Sequence, residues 1–152
     1  MEVLRGYVTD GRPDRPAGIS QGRKCWPPNA ARTGWGKFSI QGPDLKIASG
    51  AVIALAMTLN ELCTNTTKFG ALSVPAGRIE IVWTIDDKNQ RLRLTWTEKG
   101  GPAVHAPTRQ SFGTRLIETL GKQLNGTVEM AYDPKGFIYA LDVPLNSLKP
   151  PD

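Results

Sequence analysis

Two segments of the chain place apolar residues at helical spacing. We expect the first to be capped by Ser49, to run to about Lys68 and to stop at Gly70, a usual signal for the end of a helix. Its periodic positions are Val52, Leu55, Leu59, Leu62 and Cys63. The second covers about residues 113–124, with periodic positions Leu116, Ile117, Leu120 and Leu124. The pattern therefore predicts two amphipathic helices that are well separated in the chain.

Other segments alternate apolar and polar residues, as half-buried strands do. The predicted strands are residues 37–41, 78–85, 91–96, 127–132 and 137–143. Turn residues at 86–89 and 133–136 join the last four into two hairpins. Residues 99–112 have no period, and a loop of that length is usually functional or mobile. The order of elements predicts an α/β fold, a two-layer α/β sandwich with the helices on one face of a mixed sheet.

The 152 residues suit one domain with a substantial core. Residues 1–36 are rich in Pro and Gly and lack periodicity, so we interpret them as an irregular lead-in, disordered or truncated. The domain then covers residues 37–146, and residues 147–152 form a tail.

Composition and charge exclude several classes of protein. The longest apolar run has seven residues, which predicts no membrane segment, and the N-terminus lacks a secretion signal. The net charge is +5, and the first 36 residues contribute +3 of it through six basic and three acidic residues. The remaining charge is spread along the chain, so it does not indicate nucleic-acid binding. The two cysteines form no metal-binding motif, and we expect reduced thiols and a cytoplasmic protein.

Three polar residues share one face of the first helix. Glu61, Asn65 and Lys68 are spaced i, i+4 and i+7, opposite the apolar stripe. Their carboxylate, amide and ammonium groups could serve as a magnesium ligand, a hydrogen-bonding oxygen and a phosphate contact. The same pattern also fits a solvated helix face with an incidental Glu–Lys arrangement.

A second group of candidate residues flanks the long loop. Glu98 follows a predicted strand, and the paired glycines Gly100 and Gly101 after it would let a flat ring approach the backbone. At the other end of the loop a helix begins, whose free N–H groups favour phosphate. The residues there are Phe112, Gly113 and Thr114. Each of these features is also common in proteins that bind no nucleotide.

Read together and in order, these stretches are similar to a known family. Residues 38–144 resemble the ATP-binding domain of the HWE group of sensor histidine kinases, within the gyrase/Hsp90/histidine-kinase/MutL superfamily. Residues 54–73 resemble the N box of that group. Trp96-x-Glu98 resembles the motif of Trp and Glu that supplies the letters W and E of the name HWE. Residues 98–102 resemble its adenine-recognition box, and residues 111–118 resemble the end of its nucleotide lid. The resemblance implies a Bergerat-type fold that binds ATP and Mg²⁺.

The resemblance also implies roles for residues at the phosphate end of the site. Asn65 would hold the magnesium ion that bridges the ATP phosphates. Glu61 would lie beside it as a second metal contact and as the catalytic residue that helps to activate the attacking group. Lys68 would contact phosphate as a point charge.

At the base end, the resemblance implies that Glu98 accepts a hydrogen bond from the exocyclic amine of adenine. Gly100 and Gly101 would clear room for the ring. The 99–112 loop would be the lid, and its closing residues would present backbone N–H groups to the phosphates. These residues are Phe112, Gly113 and Thr114.

The chain departs from the family pattern at three points. Asn60 stands where the N box begins with His, and Ser111 stands where a lid glycine is expected. Residues 1–36 contain no His and no helical hairpin pattern, so the phosphoacceptor domain is missing from this sequence. The one histidine, His105, lies in the predicted lid, where we expect it to face solvent, and we expect Trp96 and Phe69 to be packing residues.

These observations predict a histidine kinase catalytic domain that transfers the γ-phosphoryl group of Mg-ATP to a histidine on a separate domain or chain, with a response regulator downstream. Any homodimer would form through regions outside this sequence. One alternative is a catalytically inactive nucleotide-binding or protein-interaction module derived from such a kinase. Another is a Ser/Thr kinase of the anti-sigma type on the same fold, and a basic nucleic-acid binder is the least favoured.

Overall fold

The computed structural model describes residues 2–3 and 37–149. Most of the predicted lead-in and the last residues of the predicted tail therefore lie outside the described residues. In chain order the strands and helices are β1 (Glu2–Val3), β2 (Phe38–Gln41), β3 (Lys46–Ile47), α1 (Ser49–Phe69), a 3₁₀ turn (Ala71–Ser73), β4 (Arg78–Asp86), β5 (Arg91–Lys99), α2 (Phe112–Gln123), β6 (Thr127–Asp133), β7 (Gly136–Pro144) and α3 (Leu145–Leu148).

Five strands form one mixed sheet in the order β2-β4-β5-β7-β6. β2 runs parallel to β4, and the other neighbours are antiparallel. Helices α1 and α2 contact each other and cover the sheet. The predicted α/β fold with a mixed sheet is therefore confirmed.

The alternation of side chains along β5 determines what faces the helices. Leu92, Leu94 and Trp96 are buried at every second position, and the intervening residues are more exposed. β5 extends to Lys99, three residues beyond the predicted end, and pairs with β4 as far as Arg78. The same alternation therefore continues to Glu98, which lies on the buried side of the sheet.

The ends of the two long helices match the prediction except at the N-terminus of α1. Ser49 is the first residue of α1 and not its cap, because the N-cap is Ala48, which has no side-chain hydrogen bond. α1 ends before Gly70 as predicted, and the Gly70 N–H donates to the Thr66 carbonyl oxygen. At α2 the cap is Ser111, whose Oγ accepts the Thr114 N–H at 3.1 Å.

Three further features were not predicted. The two-residue strand β3 pairs with β1. The short helix α3 spans the predicted domain end and buries Leu145 and Leu148 against the core. Cys63 is disulfide-bonded, so the expectation of reduced thiols is wrong at this residue. Within the described part of the chain, no helix has the length and apolar character needed to span a bilayer.

The packing of α1 leads to a test of the core. Leu62 is fully buried, and we expect Leu62→Ala to lower the free energy of unfolding by about 2–5 kcal/mol because it removes packed methyl groups and leaves a cavity. Ile53 lies on the same helix but is 61% exposed, so Ile53→Ala is the matched control and should cost under about 0.5 kcal/mol. Urea unfolding measures both values, and equal losses would contradict this placement of the core.

Candidate functional site

A cavity of about 420 Å³ opens where the C-terminal end of α1 meets the end of β5. The loop from Gly100 to Ser111 and the first turns of α2 form one side of it, and residues of β6 and β7 form another. Its lining residues are Asn65, Thr66, Phe69, Gly70, Glu98, Ala103, Val104, His105, Pro107, Arg109, Ser111, Thr114, Ile117, Met130, Tyr132 and Phe137. Its volume falls in the range of small-molecule sites.

Glu98 is the buried charged residue of this cavity, with only 4% of its surface exposed. Its Oε1 accepts hydrogen bonds from the Thr66 hydroxyl at 2.7 Å and from the Ala71 backbone N–H at 3.0 Å. Its Oε2 accepts the indole N–H of Trp96 at 3.1 Å. Three donors from three different elements therefore compensate the burial of this carboxylate.

The polar row predicted on α1 divides between the cavity and its surroundings. Asn65 lines the cavity, whereas Glu61 and Lys68 do not. Glu61 is half-buried beside the start of α2, where its Oε2 lies 2.8 Å from the position that a Cβ on Gly113 would occupy. Lys68 is exposed. Of the three residues, Asn65 therefore lies at the cavity, Glu61 lies at the N-terminus of α2, and Lys68 lies in solvent.

Gly100 and Gly101 lie outside the cavity and pack against the chain itself. Gly100 has a φ of +71°, a left-handed conformation that favours glycine, and a Cβ there would lie 2.5 Å from the Ala76 carbonyl oxygen. A Cβ on Gly101 would lie 2.6 Å from the Cα of Ala71. In this structure the two glycines therefore allow close packing at the end of β5, and the space that they provide is already filled by backbone.

The start of α2 contributes hydroxyl groups to the cavity. Ser111 and Thr114 both line it, and their hydroxyl oxygens are 2.9 Å apart. Ser111, which stands where the family pattern has a glycine, adopts an extended conformation with a φ of −78° and therefore needs no glycine. Phe112 does not line the cavity and is 81% exposed.

An apolar wall from β6 and β7 was not predicted from the sequence. Tyr132 and Phe137 contact each other with ring centroids 5.2 Å apart, and Met130 and Ile117 continue the wall. Burial raises the pKa of Tyr132, and a side-chain hydrogen bond with Thr114 partly offsets this. Tyr132 therefore presents a neutral hydroxyl beside the start of α2.

The loop and the end of α1 add further unpredicted residues to the cavity. Arg109 and His105 line it, so the loop brings a guanidinium and an imidazole to its edge. His105 is nevertheless exposed, as expected. Phe69 also lines the cavity but is 76% exposed, which contradicts its interpretation as a packing residue, whereas Trp96 is fully buried as expected.

The described residues contain no cluster of three His, Cys, Asp or Glu side chains that could bind a metal by themselves. Mg²⁺ usually takes one or two oxygens from a protein and completes its shell with water and substrate phosphates. Asn65 and Glu61, one helical turn apart, are the oxygen donors nearest to this description. Next to Glu61, the Oδ1 of Asn60 is buried, and the described part of the chain gives it no hydrogen-bond partner.

Sequence comparison relates the chain to sensor kinases. It is 34% identical over 113 residues to blue-light-activated histidine kinase 1 of Erythrobacter litoralis, a match that covers 72% of this chain and 31% of that protein. It is 32% identical over 114 residues to the blue-light-activated histidine kinase of Brucella anthropi, covering 73% of this chain and 23% of that protein. The chain thus spans less than a third of these relatives. No family model matches it.

Solved structures share the fold. The histidine kinase domain of the Erythrobacter litoralis EL346 blue-light-activated histidine kinase superposes with a TM-score of 0.60 at 17% identity, over 77% of this chain and 59% of that one. The ATP-binding domain of PrrB from Mycobacterium tuberculosis gives a TM-score of 0.52 at 16% identity, over 71% of this chain and 79% of that one. Similarity in sequence to the kinases and in fold to their catalytic domains shows that this chain carries a catalytic domain of the histidine kinase type.

Proposed function

We propose that this domain binds Mg-ATP in the cavity and transfers the γ-phosphoryl group to a histidine on a separate domain or chain, upstream of a response regulator. The observation that carries the proposal is the cavity itself, which has a buried carboxylate at one side and the start of a helix at another. The Trp96–Glu98 pair supports assignment to the HWE group. A cytoplasmic location, and a homodimer through regions outside this sequence, belong to the same proposal.

The base would lie between Glu98 and the apolar wall. A carboxylate has about four acceptor sites, and three of those on Glu98 are taken by protein donors. One site on Oε2 therefore remains for the exocyclic amine of adenine. Tyr132, Phe137 and Met130 offer the apolar surface that a flat ring needs.

The phosphates would extend toward the start of α2. A helix N-terminus attracts anions through its free N–H groups and its dipole, and Ser111 and Thr114 add hydroxyl donors there. Arg109, which lines the cavity, and Lys68, which is exposed on α1, would contact the phosphates as cations. Phe112 and Gly113 would present their backbone N–H groups as the loop closes.

Catalysis by this domain would consist of positioning and charge compensation, as in other phosphoryl transfers. Asn65 and Glu61 would hold the magnesium ion, whose charge offsets that of the phosphate oxygens. Glu61 would also accept a hydrogen bond from the attacking group and orient it. The loop would exclude water, which favours transfer over hydrolysis.

One observation favours a second candidate function, an inactive module that binds nucleotide or a protein partner. The family histidine next to Glu61 is replaced by Asn60, whose amide neither titrates nor carries a proton in the same way. Its Oδ1 is buried and has no hydrogen-bond partner among the described residues. Binding without turnover would be the behaviour of such a module.

We expect Asn65→Ala to weaken Mg-ATP binding roughly tenfold to a hundredfold, because it removes an amide that would contact the metal–phosphate group. Isothermal titration with ATP and Mg²⁺ measures the change. Asn146→Ala, at an exposed asparagine in α3, is the matched control and should leave the affinity unchanged.

The same titration in EDTA tests the assigned role of Asn65. Without the divalent ion, the difference between wild type and Asn65→Ala should shrink to about twofold. If the difference in ATP affinity between wild type and Asn65→Ala is the same with and without Mg²⁺, metal binding by Asn65 is contradicted. If the wild-type protein does not bind ATP at millimolar concentration, the proposed function is contradicted.

We expect Glu61→Gln to keep the Mg-ATP affinity within a few-fold while slowing phosphoryl transfer by about a hundredfold, because the amide oxygen can still contact the metal but lacks the negative charge that strengthens the hydrogen bond to the attacking group. The assay supplies a phosphoacceptor domain from a blue-light-activated relative and follows acid-labile phosphate on it. Glu129→Gln, at an exposed site on β6, is the control.

The chemistry of the phosphorylated product separates the remaining alternatives. Acid-labile phosphate indicates phosphohistidine and supports a histidine kinase. Acid-stable phosphate would indicate the Ser/Thr kinase activity of the anti-sigma type, and ATP binding without any transfer by the wild-type protein would indicate the inactive module.

A further inference from the structure

We propose that Thr66 and Trp96 are positioning residues that set the base preference of the site, by fixing the Glu98 carboxylate so that it offers a single acceptor site to a ligand. This inference rests on the proposed nucleotide-binding function and concerns how the base is selected. A bound base would have to donate a hydrogen at this point, which selects an amino-substituted purine and rejects one with a carbonyl group in the same place.

The hydroxyl group of Thr66 has its hydrogen committed to Glu98. Thr66 is 1% exposed, and its Oγ1 accepts the Leu72 backbone N–H at 3.2 Å. The lone pair used for that bond leaves the hydroxyl hydrogen for Glu98 Oε1, 2.7 Å away. The side chain is therefore oriented by the backbone on one side and orients the carboxylate on the other.

Trp96 fixes the second oxygen. Its indole N–H can only donate, and it donates to Glu98 Oε2 at 3.1 Å. The ring is fully buried and packs edge-on against Phe38, with centroids 6.3 Å apart and planes at 73°. A residue expected to be core packing therefore also acts as a hydrogen-bond donor within the site.

The three protein donors leave an asymmetric carboxylate. Oε1 receives two hydrogen bonds, from Thr66 and from the Ala71 N–H, whereas Oε2 receives one. The remaining acceptor site therefore lies on Oε2. A ligand amine can donate a hydrogen bond to this site. A ligand carbonyl oxygen would instead face Oε2 without a hydrogen between them, which leaves two buried acceptors unsatisfied.

Steric contact limits the movement of the carboxylate as well. A Cβ on Gly70 would lie 2.2 Å from Glu98 Oε1, so the glycine leaves the space that this oxygen occupies. Gly70 also lines the cavity. The carboxylate is thus held by donors on both oxygens and by the shape of the chain at the end of α1.

The experiment compares the base preference of four versions of the full chain: wild type, Thr66→Val, Thr66→Ser and Trp96→Phe. Isothermal titration in Mg²⁺ gives the Kd of each version for ATP, for GTP and for purine riboside triphosphate, which lacks the amine. Wild type should bind ATP roughly tenfold to a hundredfold more tightly than the other two nucleotides.

Thr66→Val keeps the shape of the side chain but removes the hydroxyl, and should reduce the preference for ATP roughly tenfold while changing the Kd for purine riboside triphosphate less than threefold. Thr66→Ser restores the hydroxyl and should keep the wild-type ratio within about twofold. Trp96→Phe removes the indole N–H and should likewise reduce the preference for ATP over the other two nucleotides. Circular dichroism and urea unfolding identify the variants that are folded, and if Thr66→Val is unfolded, the ratio in Trp96→Phe decides.

Two results would overturn this inference alone. One is a wild-type protein that binds ATP but does not prefer it to purine riboside triphosphate. The other is a set of variants that lose affinity for all three nucleotides equally, which is what a purely structural role of Thr66 and Trp96 would produce. A wild-type protein that binds none of the three would instead overturn the proposed function, and this inference with it.

Discussion

The site depends on a carboxylate buried at the junction of the helix layer and the sheet. Glu98 lies on β5 at a position that the strand alternation turns toward the helices, and burying a charge there is costly unless donors compensate it. The compensation comes from Thr66 near the end of α1, from the N–H of Ala71 in the 3₁₀ turn and from Trp96 on β5 itself. One ionisable group therefore joins three elements, and the cavity forms where they meet.

The opposite side of the cavity is held far less firmly. Most residues of the loop from Gly100 to Ser111 are exposed, and its Val104 N–H reaches the Pro134 carbonyl oxygen at 3.4 Å, a long hydrogen bond. Segments with exposed backbone and few buried contacts open at low free-energy cost. The domain thus combines a fixed wall at Glu98 with a loop that has few buried contacts, and closure of that loop over a nucleotide belongs to the proposed function.

The fold was predictable because its periodicities are local. The buried positions Leu55, Leu59 and Leu62 of α1, and the alternation along β5, can be read directly from the sequence. Element boundaries were less predictable, because Glu98 and Lys99 at the end of β5 belong to the sheet through their pairing with β4. The cap expected at Ser49 is absent since Ala48 holds that position, and such a difference of one residue is beyond the reach of propensity.

The candidate site was predictable in part for the same reason. Asn65, Glu98 and Thr114 were each predicted from a short motif of neighbouring residues, and all three line the cavity. Tyr132 and Phe137 were missed because the pairing of β6 with β7 brings them to the site. In sequence they are separated from Glu98 by the loop and α2. Long-range placement of this kind leaves no local pattern.

The two ends of the site differ in how complete they are before a ligand arrives, and electrostatics explains why. At the base end the hydrogen bonds to Glu98 are already formed. At the other end Glu61 lies beside Gly113 at the start of α2, the place where a helix dipole also attracts phosphate. A carboxylate and a triphosphate repel each other there unless a cation lies between them. In the proposed complex a divalent ion would therefore lie between Glu61 and the phosphates, whereas recognition of the base would use side chains that are already in place.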